Sequence, residues 1–332
     1  MKRPTPQWSR AQVGAALLMA MLTVTLVATF AASAMWQQWR AVEVETAERG
    51  QVQSAWILIG ALDWSRLILR EDGRSGGADH LAEPWAVPLQ EARLSTFLAA
   101  EGNVSQVEDA STDTTEAFLS GQINDMQGRL NITNLVEGSQ AQTVAVRQFT
   151  RLFEQLSLPS EQLGAMVDAL RQAQSTAGGD SSSAPLMPPT VSQLGWLGLT
   201  PATVAALAPH VTLLPVRTPV NLNTADVDVL MAAIDGLDMA SAQKILQARE
   251  ARHFRTLTEV AELIGAAPGV IDTGLFSVAS SYFEVRGRLR LGDAMVDERS
   301  LVRKQGIEVT TIWRERGAFD RDTAQSMPGA QR

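Results

Sequence analysis

Carboxylates supply most of the reactive chemistry this sequence offers. In Glu108-Asp109-Ala110-Ser111-Thr112-Asp113-Thr114-Thr115-Glu116 the acids crowd a polar stretch, with Asp109, Asp113 and Glu116 as candidate ligands. Flexible oxygen-rich loops of this kind suit calcium. The spacing is not that of an EF-hand, and a solvated acidic loop accounts for the same residues without an ion. Asp293, Asp297 and Glu298 form an alternative group. Neither set implies a required cofactor; Ca2+ is the one ion they would take.

Other chemistries are poorly supplied. The three histidines, His80, His210 and His253, lie far apart and show no ligand spacing. The absence of cysteine removes disulfides, thiolate nucleophiles and Cys-ligated metals. No phosphate-cradling glycine loop or H-E-x-x-H occurs. The sequence therefore gives no catalytic residues and points away from an enzyme. A formal charge of −8 argues against non-specific nucleic-acid binding, which depends on neutralising phosphates.

The elements that position such residues begin with a membrane segment. Ala11 to Gln38 carries no charge, which is enough to cross a bilayer as a helix. Lys2, Arg3 and Arg10 precede it; Arg40, Glu43, Glu45, Glu48 and Arg49 follow. The charge asymmetry predicts a cytoplasmic N-terminus and an external body. A signal peptide cleaved near Ala32-Ser33-Ala34 and a plain signal anchor are the competing readings. Val52, Trp56, Ile59 and Leu62 predict an apolar face as the helix continues. Asp72-Gly73-Arg74-Ser75-Gly76-Gly77 ends it.

Two prolines in Leu81–Leu89 predict an extended edge. Gln122–Met126 and Arg129–Ile132 predict a hairpin turning at Gly128. In Phe283–Leu291 the apolar Phe283, Val285, Leu289 and Leu291 alternate with Glu284, Arg286, Arg288 and Arg290, which predicts a strand with a solvated charged face. Met295–Val302 and Ile307–Trp313 are further strands, and residues from 317 onward a disordered tail. Between the strand groups, Val144–Leu156 and Glu161–Gln174 predict helices, with a flexible loop over 175–189.

The basic start ending in Gly14, followed by Ala15-Ala16-Leu17-Leu18, resembles the leader of type IV pilins and pseudopilins. Met19 stands where most of that family carries glutamate. Together with "EPWAVPL" and "FLSGQINDMQGRLNITNL", this departure resembles the minor pseudopilin K family of the type II secretion system. The resemblance implies cleavage by prepilin peptidase between Gly14 and Ala15, with N-methylation at Ala15. It implies a periplasmic body on the bacterial inner membrane, in contact with its lipid. Implied partners are minor pseudopilins I and J, with pseudopilin H, the major pseudopilin and the inner-membrane secretion platform. Its implied role is the tip of the pseudopilus, starting assembly and capping the filament. The outward side of the helix around Trp36 to Gly50 is the expected assembly surface.

The expected fold is α+β: a pilin-like long N-terminal helix packed on an antiparallel sheet, with a large all-α insertion. Expected boundaries are leader 1–14, membrane helix 15–37, pilin-like parts 38–135 and 275–316, insertion 136–274 and tail 317–332. Within the insertion, 219–265 resembles a helix-hairpin-helix module. That gives the alternative function, a membrane-anchored nucleic-acid binder of the DNA-uptake kind. Asp238 replaces the second glycine of the hairpin Gly236-Leu237-Asp238 and sets negative charge where a phosphate would sit. Nucleic acid is therefore not an expected partner. Asn223-Thr224 reads as a helix N-cap.

Overall fold

The computed structural model describes residues 11–96, 117–138, 140–175, 185–292 and 294–317. Helix α1 runs Ala11–Ser75, and two compact units divide within it, between Ile57 and Leu58. Among the described residues the first unit is helix alone. Its apolar side chains, Leu17 to Phe30 among them, are exposed.

In the second unit the buried side of α1 carries Leu58, Leu62, Ser65 and Leu69, spaced by three and four residues. Val52 and Trp56, expected on the apolar face, are instead 58% and 69% exposed. Leu62, expected on the same face, is buried and Ile59 is half-buried, so the expected stripe holds within the second unit.

Five strands form one sheet in chain order: β1 (Leu89–Arg93), β2 (Ala117–Asp125), β3 (Tyr282–Leu291), β4 (Ala294–Gln305) and β5 (Glu308–Gly317). Every neighbour is antiparallel. Ile123, Phe283, Val285 and Val302 share one core with Leu62, Leu69 and Trp85. The Trp85 ring meets Phe283 edge-on at 5.1 Å. On the opposite face Arg286 pairs with Glu284, Arg288 with Asp297 and Arg290 with Glu91. The basic stripe is thus neutralised within the sheet.

Two local expectations change. Residues Pro84–Ala86 form a 3-10 turn, and the extended edge starts only at Leu89. The hairpin around Gly128 does not form. Strand β2 pairs with β1 and β3, while Leu130–Asn131 pairs in parallel with Val211–Thr212. Gly128 sits in a 3-10 turn where a Cβ would lie 2.8 Å from the Thr224 hydroxyl. Close packing, not a hairpin turn, calls for that glycine.

The chain leaves the sheet after Asp125 and returns at Tyr282. Between them lie α2 (Thr143–Gln155), α3 (Ser160–Ser175), α4 (Pro201–Leu207), α5 (Val227–Ala233), α6 (Met239–Ala251) and α7 (Leu257–Ile264). Their own core includes Phe149, Leu152, Phe153, Met166, Leu230 and Ile245. Gln148 and Arg151 on α2 donate to the last carbonyls of α5, Ala232 and Ala233. Those are the acceptors a helix end leaves without intrahelical partners.

Candidate functional site

The two ends of the insertion meet at a buried polar junction. Asp125 closes β2, and its carboxylate accepts from the Ser280 and Thr224 hydroxyls, both at 2.6 Å, from Asn221 Nδ2 at 3.0 Å and from Gln127 N at 2.8 Å. Burial pushes this carboxyl up, and the four donors pull it back. Asn221, fully buried, also donates to the Ser280 oxygen and to the Asp79 carbonyl. Gln127 donates to the Pro219 carbonyl and accepts from Ser281 N. One cluster thereby ties β2, the entry to β3, the segment after α1 and the insertion.

Beside it lies a second, charged group. The Lys304 ammonium on β4 contacts both Asp72, at the end of α1, and Asp79. Burial opposes that ammonium, and the two carboxylates outweigh it, so its pKa rises. Ser280 N donates to Asp79 at 2.6 Å. Glu83 accepts from His80 N at 2.9 Å and Trp85 Nε1 at 2.7 Å. Burial raises Asp79 to about 6 and Glu83 to about 7, against the hydrogen bonds each accepts. The rings of His80 and His253 stack at 3.7 Å, joining the segment after α1 to the insertion. Nothing local signals this pairing, since the two histidines share no spacing or motif.

The helix-hairpin-helix-like stretch is built for internal packing. Asp238 caps α6 by accepting from Ser241 N at 2.8 Å. Lys244 donates to the Leu263 carbonyl, and Arg249 to those of Leu222 and Ala225. The carboxylate occupies an N–H that a phosphate would need, and both cations are spent on carbonyls. Asn223 and Thr224 are not the cap of α5. Asp226 is, through Val229 N at 2.7 Å. Asn223 instead brackets Phe254, and Thr224 reaches Asp125.

Two family models, each described as type II secretion system protein K, match residues 128–216 and 220–279. These matches support the type II secretion system protein K family for this chain. The protein K of Pseudomonas aeruginosa is 29% identical, with 86% of each chain covered. Those of Pectobacterium carotovorum and Klebsiella pneumoniae are 26% and 28% identical over 93% of this chain and 97% of theirs. The fold matches a chain of the crystal structure of the GspK-GspI-GspJ complex from enterotoxigenic Escherichia coli with a TM-score of 0.62. Identity there is 20%, covering 82% of this chain and 99% of that one.

In this chain the residues from Gly14 onward form a helix long and apolar enough to cross a membrane. Helix and family together give a minor pseudopilin anchored by a single span. Met19 lies on this helix, 70% exposed. The calcium candidates Asp109, Asp113, Glu116 and Asp293 lie outside the described residues. Asp297 and Glu298 are not brought together. As neighbours on β4 they point to opposite faces. Asp297 is held by Arg288, and Glu298 by Arg314 and Arg316. His210, Asp226 and Asp228 come within 4.8 Å of one another. In that group the His210–Asp226 hydrogen bond of 3.1 Å already raises the histidine pKa.

Proposed function

We propose that this minor pseudopilin forms the tip of the pseudopilus with minor pseudopilins I and J, starts its assembly and caps it for protein export across the outer membrane. The observation that carries this is the helical body grafted between β2 and β3 of a pilin-type sheet. Such bulk hinders the packing of another subunit above it. The related E. coli chain, solved as part of a GspK-GspI-GspJ complex, supports I and J as partners. The role is mechanical and needs no catalytic site. Pseudopilin H and the major pseudopilin follow below, and the secretion platform of the inner membrane drives the growth. Lys2, Arg3 and Arg10 ahead of the uncharged run support a cytoplasmic N-terminus and a periplasmic body.

Prepilin peptidase is expected to cut between Gly14 and Ala15. Mass and N-terminal sequence of the mature protein, from membranes with and without the peptidase, check this. A methylated, peptidase-dependent Ala15 is expected. An intact Met1, or a start near Ala34, would overturn the pilin-type processing.

Met19 bears on position in the filament. A carboxylate in lipid is costly unless paired. A subunit that inserts first has no subunit above it to pair with. If bulk is what caps, Met19→Glu leaves secretion and co-purification with I and J within about twofold of the parent, because residue 19 lies near one end of the apolar run, where a carboxylate can reach water and escape most of that cost. Loss of secretion with the complex still formed would remove Met19 from the tip mechanism.

A further inference from the structure

Three carboxylates and one ammonium share the half-buried pocket beside the junction. Carboxylate oxygens of Asp72, Asp79 and Glu83 lie within 4.8 Å of one another. Lys304 is the cation among them, and it contacts Asp72 and Asp79. The pocket walls come from Gly73 and Gly76 at the end of α1, Ser280 and Ser281 before β3, and Gly306 after β4. Full ionisation leaves more negative charge than Lys304 can balance in a site with restricted water. Protons resolve this, because a protonated carboxyl donates to its neighbour instead of repelling it.

The same segment holds the insertion. The Asp79 carbonyl accepts from Asn221, its carboxylate from Ser280 N, and its N–H donates to the Val278 carbonyl. His80, one residue on, stacks on His253. We propose that Asp72, Asp79, Glu83 and Lys304 form a proton-operated latch that holds the insertion against the sheet, closed while Asp79 or Glu83 carries a proton and loosened when both are ionised.

The groups facing the latch are Asp72 from α1, Lys304 from β4, His253 from the turn after α6, and Asp125 from β2 through Ser280 and Asn221. Asp79 and Glu83 have raised values, near 6 and 7. Their contribution to closure is complete below the unfolded values and is lost as pH rises through 6 to 7. His80 is lowered, first by burial and then by the neighbouring His253. Its contribution is lost as pH falls below its unfolded value. Closure is therefore tightest in mild acid, bounded above by the carboxyls and below by the histidine.

Hydrogen exchange of the full mature chain in detergent, corrected for intrinsic rate, tests the latch. Between about pH 6 and pH 8, peptides covering 76–88 and 219–224 are expected to lose roughly tenfold in protection, while 143–155 stays constant. Glu83→Gln keeps the acceptor for His80 N and Trp85 Nε1, offers an amide donor to Asp72, and is expected to retain protection at the higher pH. Should that variant fail to fold, Asp79→Asn serves in its place, since its oxygen still accepts from Ser280 N. A wild-type change under about twofold, or an unaltered loss in the folded variant, overturns the latch. So would equal loosening of 143–155, which marks global unfolding.

Discussion

Asp125→Ala is expected to lower the unfolding free energy by about 4 kcal/mol, within the range for breaking a buried, hydrogen-bonded ionisable cluster. The carboxylate is the common acceptor for Ser280, Thr224, Asn221 and Gln127 N. Truncation leaves those donors buried and unmatched, and a hole that a methyl group cannot fill. Asp125→Asn keeps one acceptor oxygen and the shape, and the two hydroxyls can turn to accept from its amide. It is expected to cost about 1–2 kcal/mol. The midpoint of urea unfolding for the full chain orders the three proteins. Equal stability of parent and alanine variant would mean that water replaces the carboxylate without loss.

Gly73→Ala is the second large effect. Gly73 lies in the last turn of α1, where its backbone rests on the turn between β4 and β5. A Cβ there would sit 2.0 Å from the Gly306 carbonyl oxygen and 2.9 Å from the Gly306 carbonyl carbon. These are backbone atoms, so no side chain can swing clear. Gly306 leads a two-residue turn at φ 56° and cannot shift freely. The helix end must lift, which also draws Asp72 from Lys304. A loss of about 3 kcal/mol is expected, at the upper end for overpacking. Gly60, in the same helix with nothing within 4 Å of its Cβ direction, is the control. Gly60→Ala should gain up to about 1 kcal/mol from helix propensity. Similar melting of the two variants would mean that the close approach at Gly306 is absorbed elsewhere.

Local patterns were legible where one interaction dominated. The uncharged run and the period-two alternation of β3 identified α1 and the core strand. Helices α2 and α3 lay within a residue or two of their expected positions, because their apolar spacing is strong. The extent of the apolar stripe on α1 was not legible: Val52 and Trp56 carry the same helical spacing as Ile59 and Leu62 but are exposed, while Leu62 is buried. Asn223-Thr224 looked like a cap because polar residues before an apolar run have that signature whichever of them caps. Here Asp226 took the role, and Thr224 was left to bond Asp125, a partner distant in sequence. The acid–lysine group and the stacked histidines had no local signal. Each joins residues from far-apart elements, so only the tertiary structure brings them together. The resemblance carried family and fold from the leader and the "EPWAVPL" region; spacing alone supplied neither.

The adjacency of Asp125 and Phe283 across β2 and β3 sets an order of events in time. An open connection of about 160 residues costs roughly 4–5 kcal/mol of chain entropy to close before any strand contact forms. The insertion carries a separate core, from Leu130 to Phe276. Once that core collapses, its two ends stand side by side and most of the closure cost is gone. A chain emerging from its N-terminus therefore exposes α1, β1 and β2 first, with one edge of β2 unpaired. Such an edge can pair with other chains. The helical insertion between β2 and β3 is, during synthesis, the nucleus that delivers β3 to that edge.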